Sequence, residues 1–331
     1  MDEFTSHPSF KDFVVTCIPV PRAAILLLAS LFLSVLPAAI SVNAQAAHTA
    51  NSSLESGSQR PTDAQVRERR EKLIANQHAD DEALNYYERI ERHVERTGGT
   101  EPRVLSDRTY RVVPTGGGTM KILVRDQGAA VSNADYVRQL RQWRDVLEMM
   151  STPGSSKGAT ARSKYERRER ERSDFVDATV SAFIPKWLDR ETYAGRSCDV
   201  FELDPNPAFR PKTMFESGLA HVYAKIWVDR ESYQLVRAEA WVTSDISFIA
   251  GIAGKVYQGS KVEIEQAEVA HGIWLPTHYE YDFGGRKFLF PFAQHETIDV
   301  SHYHRDGPPS QALASVKSEL ASGNGHVEED P

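Results

Sequence analysis

The chain has 331 residues, 40% hydrophobic and 26% charged, with a formal net charge of −7 and two cysteines. A mildly acidic chain gains nothing from a polyphosphate, which argues against a nucleic-acid partner. Cys17 and Cys198 lie on either side of a long apolar run, so a disulfide-stapled scaffold is excluded and stability has to come from a core.

That apolar run, residues 23–36, is followed by Pro37 and by Val42-Asn43-Ala44. It reads as a signal peptide over 1–44, cleaved after Ala44, and predicts an exported, periplasmic protein; the alternative is an uncleaved N-terminal anchor, since about 20 apolar residues span a bilayer. Cys17 precedes the run and is not a lipid-attachment cysteine. Residues 45–61 are small and polar and read as a disordered linker.

Thr62-Asp-Ala-Gln65 has capping-box form and opens a charged helical region to about residue 96. A break near 76–81 predicts two helices, stopped by Thr97-Gly98-Gly99. Residues 108–113 and 119–125 alternate around Pro114-Thr-Gly-Gly-Gly118, which predicts a hairpin; the glycines lack the Lys and Ser/Thr of a phosphate loop. Ser132-x-x-Asp135 caps another helix, whose Val137, Leu140, Trp143, Leu147 and Met150 recur at helical spacing and should pack on the sheet. Residues 151–173 form a polar insert, flexible to 161 and then a solvated helix of interleaved charges over 162–172.

From 175 onward the chain reads as strands: 175–184, 187–194, 197–204, 220–228, 233–243, 253–258, 260–270, 273–283 and 286–303. Gly195-Arg196, Asp229-Arg-Glu-Ser232, Gly259, Gly272 and Gly284-Gly285 supply turn chemistry, and such short links make antiparallel neighbours. Asp204-Pro-Asn-Pro-Ala-Phe-Arg-Pro211 is a rim, a lid or a rigid crossover. The tail over 306–331 lacks periodicity and reads as disordered.

Alternation sorts side chains into faces. Ile273, Leu275, Tyr279, Tyr281 and Phe283 share one face, which Phe288, Phe290 and Phe292 extend. Earlier strands offer Trp241 on one parity, or Val236, Ala238, Ala240 and Val242 on the other. The wall is simply core, or it lines a concavity for a greasy ligand. The candidate lining residues are Trp241, Leu275, Tyr279, Tyr281, Phe288 and Phe290.

Other chemistry is weaker. His295, His302 and His304 with Glu296 cluster near one strand end, yet the helical metal-binding spacing is absent, so no metal and no cofactor is expected. No Gly-x-Ser-x-Gly elbow occurs, and no catalytic residue is proposed. Asp229 and Arg237 could pair across a hairpin.

The order of elements, with Gly195-Arg-Ser-Cys-Asp-Val-Phe-Glu-Leu-Asp-Pro205, Ile226-Trp-Val-Asp-Arg-Glu-Ser-Tyr-Gln-Leu-Val-Arg237 and Gly272-Ile-Trp-Leu-Pro276, resembles the lipoprotein localisation-factor (LolA/LolB-like) superfamily, which includes the N-terminal domain of RseB-type regulators. The resemblance covers roughly 65–304. It implies an α+β fold, a strongly curved antiparallel sheet (a half-open β-barrel) with N-terminal and inserted helices packed on its concave face, as a single domain over 62–305. It also implies a partner that is a hydrophobic ligand (a lipid or acyl chain) or a lipoprotein. The function expected is an exported, non-enzymatic carrier; the alternative is an envelope scaffold or sensor with a self-filled sheet and an envelope protein as partner.

Overall fold

The computed structural model describes residues 60–98, 102–115, 118–248, 254–287, 290–305 and 308–322. The expected leader, nearly all of the linker, Phe288 and the end of the tail lie outside the described residues.

Thr62 caps the first helix. Its Oγ1 accepts from the Gln65 N–H at 3.3 Å, and Gln65 Oε1 accepts from the Thr62 N–H at 2.8 Å. Helix α1 then runs unbroken over Asp63–Leu84. The second helix expected before Arg96 is instead strand β1, Tyr87–Arg96. Ile90 and Val94 fit a strand face as well as a helix face. Two neighbouring strands supply β1 with a complete ladder, and that pairing outranks the helix preference of its Glu and Arg residues.

The expected hairpin forms from β2 (Val104–Pro114) and β3 (Thr119–Asp126), with Pro114 opposite Thr119, and the short β4 (Ala129–Ala130) follows. Ser132 caps α2 (Asn133–Ser151), which buries Tyr136, Leu140, Trp143 and Leu147. The polar insert is more ordered than its composition suggests. Ser155 caps α3, a 27-residue helix over Ser156–Ala182, which also takes up residues expected to begin a strand. Gly158 makes its start possible: a Cβ there would stand 2.6 Å from the Met149 carbonyl oxygen of α2.

The remaining strands are β5 (Phe183–Tyr193), β6 (Arg196–Pro205), β7 (Val222–Asp229), β8 (Leu235–Val242), β9 (Ile246–Phe248), β10 (Gly254–Val256), β11 (Lys261–Ala270), β12 (Ile273–Lys287) and β13 (Phe290–Arg305). A short helix α4, Met214–Ser217, precedes β7. Gly284 and Gly285 do not form the expected turn; they lie within β12. A Cβ on Gly285 would meet the Lys255 carbonyl oxygen at 2.3 Å and the Phe292 ring at 2.8 Å. Nor is all of the tail structureless. Ala312, Val316 and Leu320 repeat every fourth residue in α5 (Ala312–Ser322), which packs on α2.

Among the described residues, thirteen strands join one antiparallel sheet that does not close, in the order β4-β3-β2-β1-β13-β12-β11-β8-β7-β6-β5, with β10 and β9 added beside the far end of β12. The fold is therefore α+β with an open curved sheet. We call the face covered by α1 the inner one. There Leu73 of α1 and Phe175 and Ala182 of α3 close over Phe201, Ile226, Leu235, Ala238, Val262, Ile264, Tyr281, Ile298 and Val300. Arg69 of α1 adds an ion pair with buried Asp199. At the other end of the sheet the apolar layer changes side. Val113, Met120, Ile122 and Val124 point outward and are covered by α2 and α5. Helix α3 connects the two layers, from its start against α2, past Tyr165 beside Gly118, to the inner-face core.

Candidate ligand-binding face

Of the six residues expected to line a trough, Tyr279 and Tyr281 stand together on the inner face. Their rings stack 6.2 Å apart, and Tyr281 stacks on Phe283 at 6.3 Å. Tyr281 is only 1% exposed, sealed by the core itself. Trp241 does not join them. It pairs with Tyr223, ring to ring at 5.5 Å, while its neighbour Ala240 belongs to the inner core; Trp241 is therefore on the outer face. Leu275 is buried, but a bulge separates it from the row. Glu265 and Gln266 face His278 and Pro276, leaving Thr277 unpaired, and the alternation that linked Leu275 to Tyr279 is interrupted. Phe290 lies at the far end of the β12–β13 hairpin and is 77% exposed. Phe288 lies outside the described residues.

The register nonetheless makes a graded aromatic row. Across β12 and β13, Tyr281 faces Glu296, Phe283 faces Gln294 and Gly285 faces Phe292, so Phe290 and Phe292 continue the inner-face parity. Exposure falls from Phe290 through Phe292 (38%) and half-buried Phe283 to Tyr281.

Beside the row lies a charged cluster that the sequence reading missed. From β1, Arg89 Nη2 reaches Glu91 Oε1 at 2.7 Å; from β3, Lys121 Nζ reaches Glu91 Oε2 at 2.6 Å. His93 is held between two carboxylates, Nε2 to Glu91 at 3.0 Å and Nδ1 to Glu296 at 2.9 Å, and Gln294 donates to Glu296 at 3.0 Å. The Tyr110 ring meets His93 edge-on at 5.3 Å. Arg89 and Glu91 are both buried, and Arg89 Nη1 has no hydrogen-bond acceptor. Nearby, Tyr303 donates to the Pro276 carbonyl at 2.6 Å; burial first, then Tyr279, raises its hydroxyl pKa well above the phenol range. The available signal was the period-two recurrence of Arg89, Glu91 and His93, hidden by reading β1 as a helix.

The remaining candidates separate. Asp229 pairs loosely with Arg196 at 3.7 Å rather than with Arg237, whose guanidinium meets Glu239, Glu263 and Glu265 at 2.5, 2.7 and 3.3 Å. The 204–211 loop is a fixed crossover, since Asn206 bonds the Ala182 and Ser181 carbonyls at the end of α3 and Phe209 packs on the core. Burial, then Asp229, pushes the Cys198 thiol up to about 11, which leaves it an inert core residue. Among the described residues, no group of three His, Cys, Asp or Glu side chains could hold a metal ion, and no helix is long and apolar enough to cross a membrane.

No protein-family model and no curated protein matches the sequence. Among solved structures, the chain is similar to a domain assigned as an outer membrane lipoprotein-sorting protein from Vibrio parahaemolyticus, at 10% identity over 71% of this chain and 90% of that one, TM-score 0.32. It is also similar to a LolA superfamily protein from Nitrosomonas europaea (9% identity, 71% and 96% covered, TM-score 0.28) and to a DUF1329 family protein from Desulfovibrio piger (13%, 71% and 92%, 0.26).

Proposed function

We propose that this is an exported binding protein of the cell envelope, which takes the acyl chain of a lipid or lipoprotein against its inner face and carries out no chemical step. The observation that carries the reading is the aromatic row, graded from exposed Phe290 to sealed Tyr281 along one hairpin. In the closed form described above, protein side chains fill the wall, so uptake requires α1, the helix against β12, to yield. Re-exposing Leu73 costs about 1.5–3 kcal/mol. An acyl chain of roughly fifteen carbons returns on the order of 12 kcal/mol before ordering costs.

Delipidated protein incubated with a fatty acid or phospholipid should retain it in native mass spectrometry, and the Phe283→Asp variant should retain less. Clean protein that retains none sinks the reading. A second reading, an envelope scaffold or sensor, is favoured by the 1% exposure of Tyr281. In that case no lipid is retained, and charge reversals over 162–172 abolish capture of an envelope protein.

A further inference from the structure

Three arginines from three separate elements meet over one carboxylate near the start of β6. Arg69 of α1 is in contact with Asp199 Oδ2. Arg230, from the β7–β8 turn, stands 3.8 Å from the same oxygen, and Arg190 of β5 stands 3.8 Å from Oδ1. Asp199 itself is 1% exposed and also accepts from Trp187 Nε1 at 3.3 Å. Hydrogen bonds from nitrogen to oxygen rarely exceed about 3.2 Å, so Arg190 and Arg230 are drawn to Asp199 without being bonded to it. Unlike their shared carboxylate, the side chains of Arg69, Arg190 and Arg230 reach solvent, at 16%, 22% and 37% exposure.

The neighbouring acids are already engaged. Glu68 pairs with Lys72 at 2.8 Å and Glu191 with Lys225 at 3.1 Å, while Asp229 accepts from the Ser232 N–H and hydroxyl at 2.8 and 2.6 Å. Three guanidinium charges thus face one carboxylate, an excess of two. Burial first, then the like charge of Arg230, lowers the Arg69 pKa. Arg230 also lines an open cleft of about 680 Å³ with Gly195, Arg196, Ser197, Asp229 and Glu231, which gives a solute its way in.

Like charges that folding holds together are costly until a counter-charge joins them. Guanidinium forks match the oxygens of a phosphate, and a tetrahedral anion has an oxygen for each of three forks. A second carboxylate would cancel half of the excess; a dianion cancels all of it.

We propose that Arg69, Arg190 and Arg230 form a binding site for a dianionic oxyanion, inorganic phosphate or a phosphate monoester, which ties α1 to the end of the sheet. Charge anchors this ligand and the aromatic row takes no part, so the site stands whether or not the protein carries an acyl chain. One consequence does rest on the carrier reading: an anion bound here opposes the yielding of α1 and keeps the inner face closed.

The test is isothermal titration of the full chain with sodium phosphate at constant ionic strength, with chloride as the blank. Saturable binding is expected. Arg230→Gln, at the most exposed of the three positions, should weaken it about tenfold, and Arg190→Gln by a similar factor, the scale of a lost charge-assisted hydrogen bond. Glu231→Gln should tighten it about twofold, because the acid beside the entrance no longer repels the ligand. Arg138→Gln, on the exposed side of α2, should leave it unchanged. Heat no greater than that of chloride, or wild-type affinity in both arginine variants, overturns the proposal. A short-chain phosphatidic acid, kept monomeric, separates the two sources of phosphate: affinity equal to that of inorganic phosphate assigns the site to a free anion, and tighter binding assigns it to a lipid headgroup. Retention of a fatty acid, which has no phosphate, is measured separately and reports on the carrier reading alone.

Discussion

The two ends of this sheet solve the problem of burial in opposite ways. From β5 to β13 the inner face is mainly apolar and closed by α1 and α3. From β1 to β3 the inner face carries Arg89, Glu91, His93 and Lys121, and the apolar layer has moved to the outer face beneath α2 and α5. The first arrangement gains from area removed from water. The second adds an ionic cluster whose members are costly unless each finds its partner. A single continuous sheet can thus serve two cores, and most of the residues that change its character lie on the interior strand β1.

Breaking the outer-face core should have the largest effect. Trp143→Ala removes a buried ring and the hydrogen bond from its Nε1 to the Lys121 carbonyl. A loss of about 4–5 kcal/mol in urea unfolding is expected. Next is Glu91→Gln, which leaves Arg89 and Lys121 without their counter-charge and should cost about 3 kcal/mol. The sharper version replaces Arg89, Glu91 and Lys121 together by Met, Leu and Met. If the cluster exists for stability alone, the triple variant should also be destabilised; near-neutral stability would mark the charges as retained for another purpose.

A pH experiment tests how α1 is attached. Burial pushes the Asp80 carboxyl up to about 6 although it accepts from the Trp274 N–H at 3.0 Å. The folded state therefore binds this proton more tightly than the unfolded chain does, so stability falls as pH rises from about 4 to 6 and stays reduced above that. Asp80→Asn should remove this slope and stabilise the protein by about 1–2 kcal/mol at neutral pH, with the new amide able to donate toward Gln234, whose Oε1 is buried without a donor. The smallest effect is at the start of α1: Thr62→Ala should cost about 1 kcal/mol in thermal melts by opening the capping box.

Much of the architecture could be read from local pattern. Thr62 and Ser132 announce their helices because a cap is a local interaction, and the hairpin around Pro114 and Thr119 follows from alternation beside glycines. The failures are nonlocal. Tyr87 to Arg96 carries helix-forming residues, and its pairing with β2 on one side and with β13, some 200 positions away, on the other makes it a strand. Alternation placed Tyr279, Tyr281 and Phe283 correctly along β12, but nothing local marks the unpaired Thr277 that separates Leu275 from them. Trp241 could take either parity until Tyr223 fixed it. The ionic cluster joins residues from β1, β3 and β13, and its partners Lys121 and Glu296 are invisible from either end of the chain.

An open sheet also has an exposed flank. Among the described residues, strand β5 is hydrogen-bonded on one side only, by β6, and leaves Ile184 and Leu188 accessible. Pro185 lacks the donor a visiting strand would need, Lys186 adds charge, and the irregularity between Trp187 and Asp189 twists the ladder out of step. These three features discourage one molecule from stacking onto the next, so the protein can remain dispersed at concentrations where a straight, apolar margin would seed fibrils.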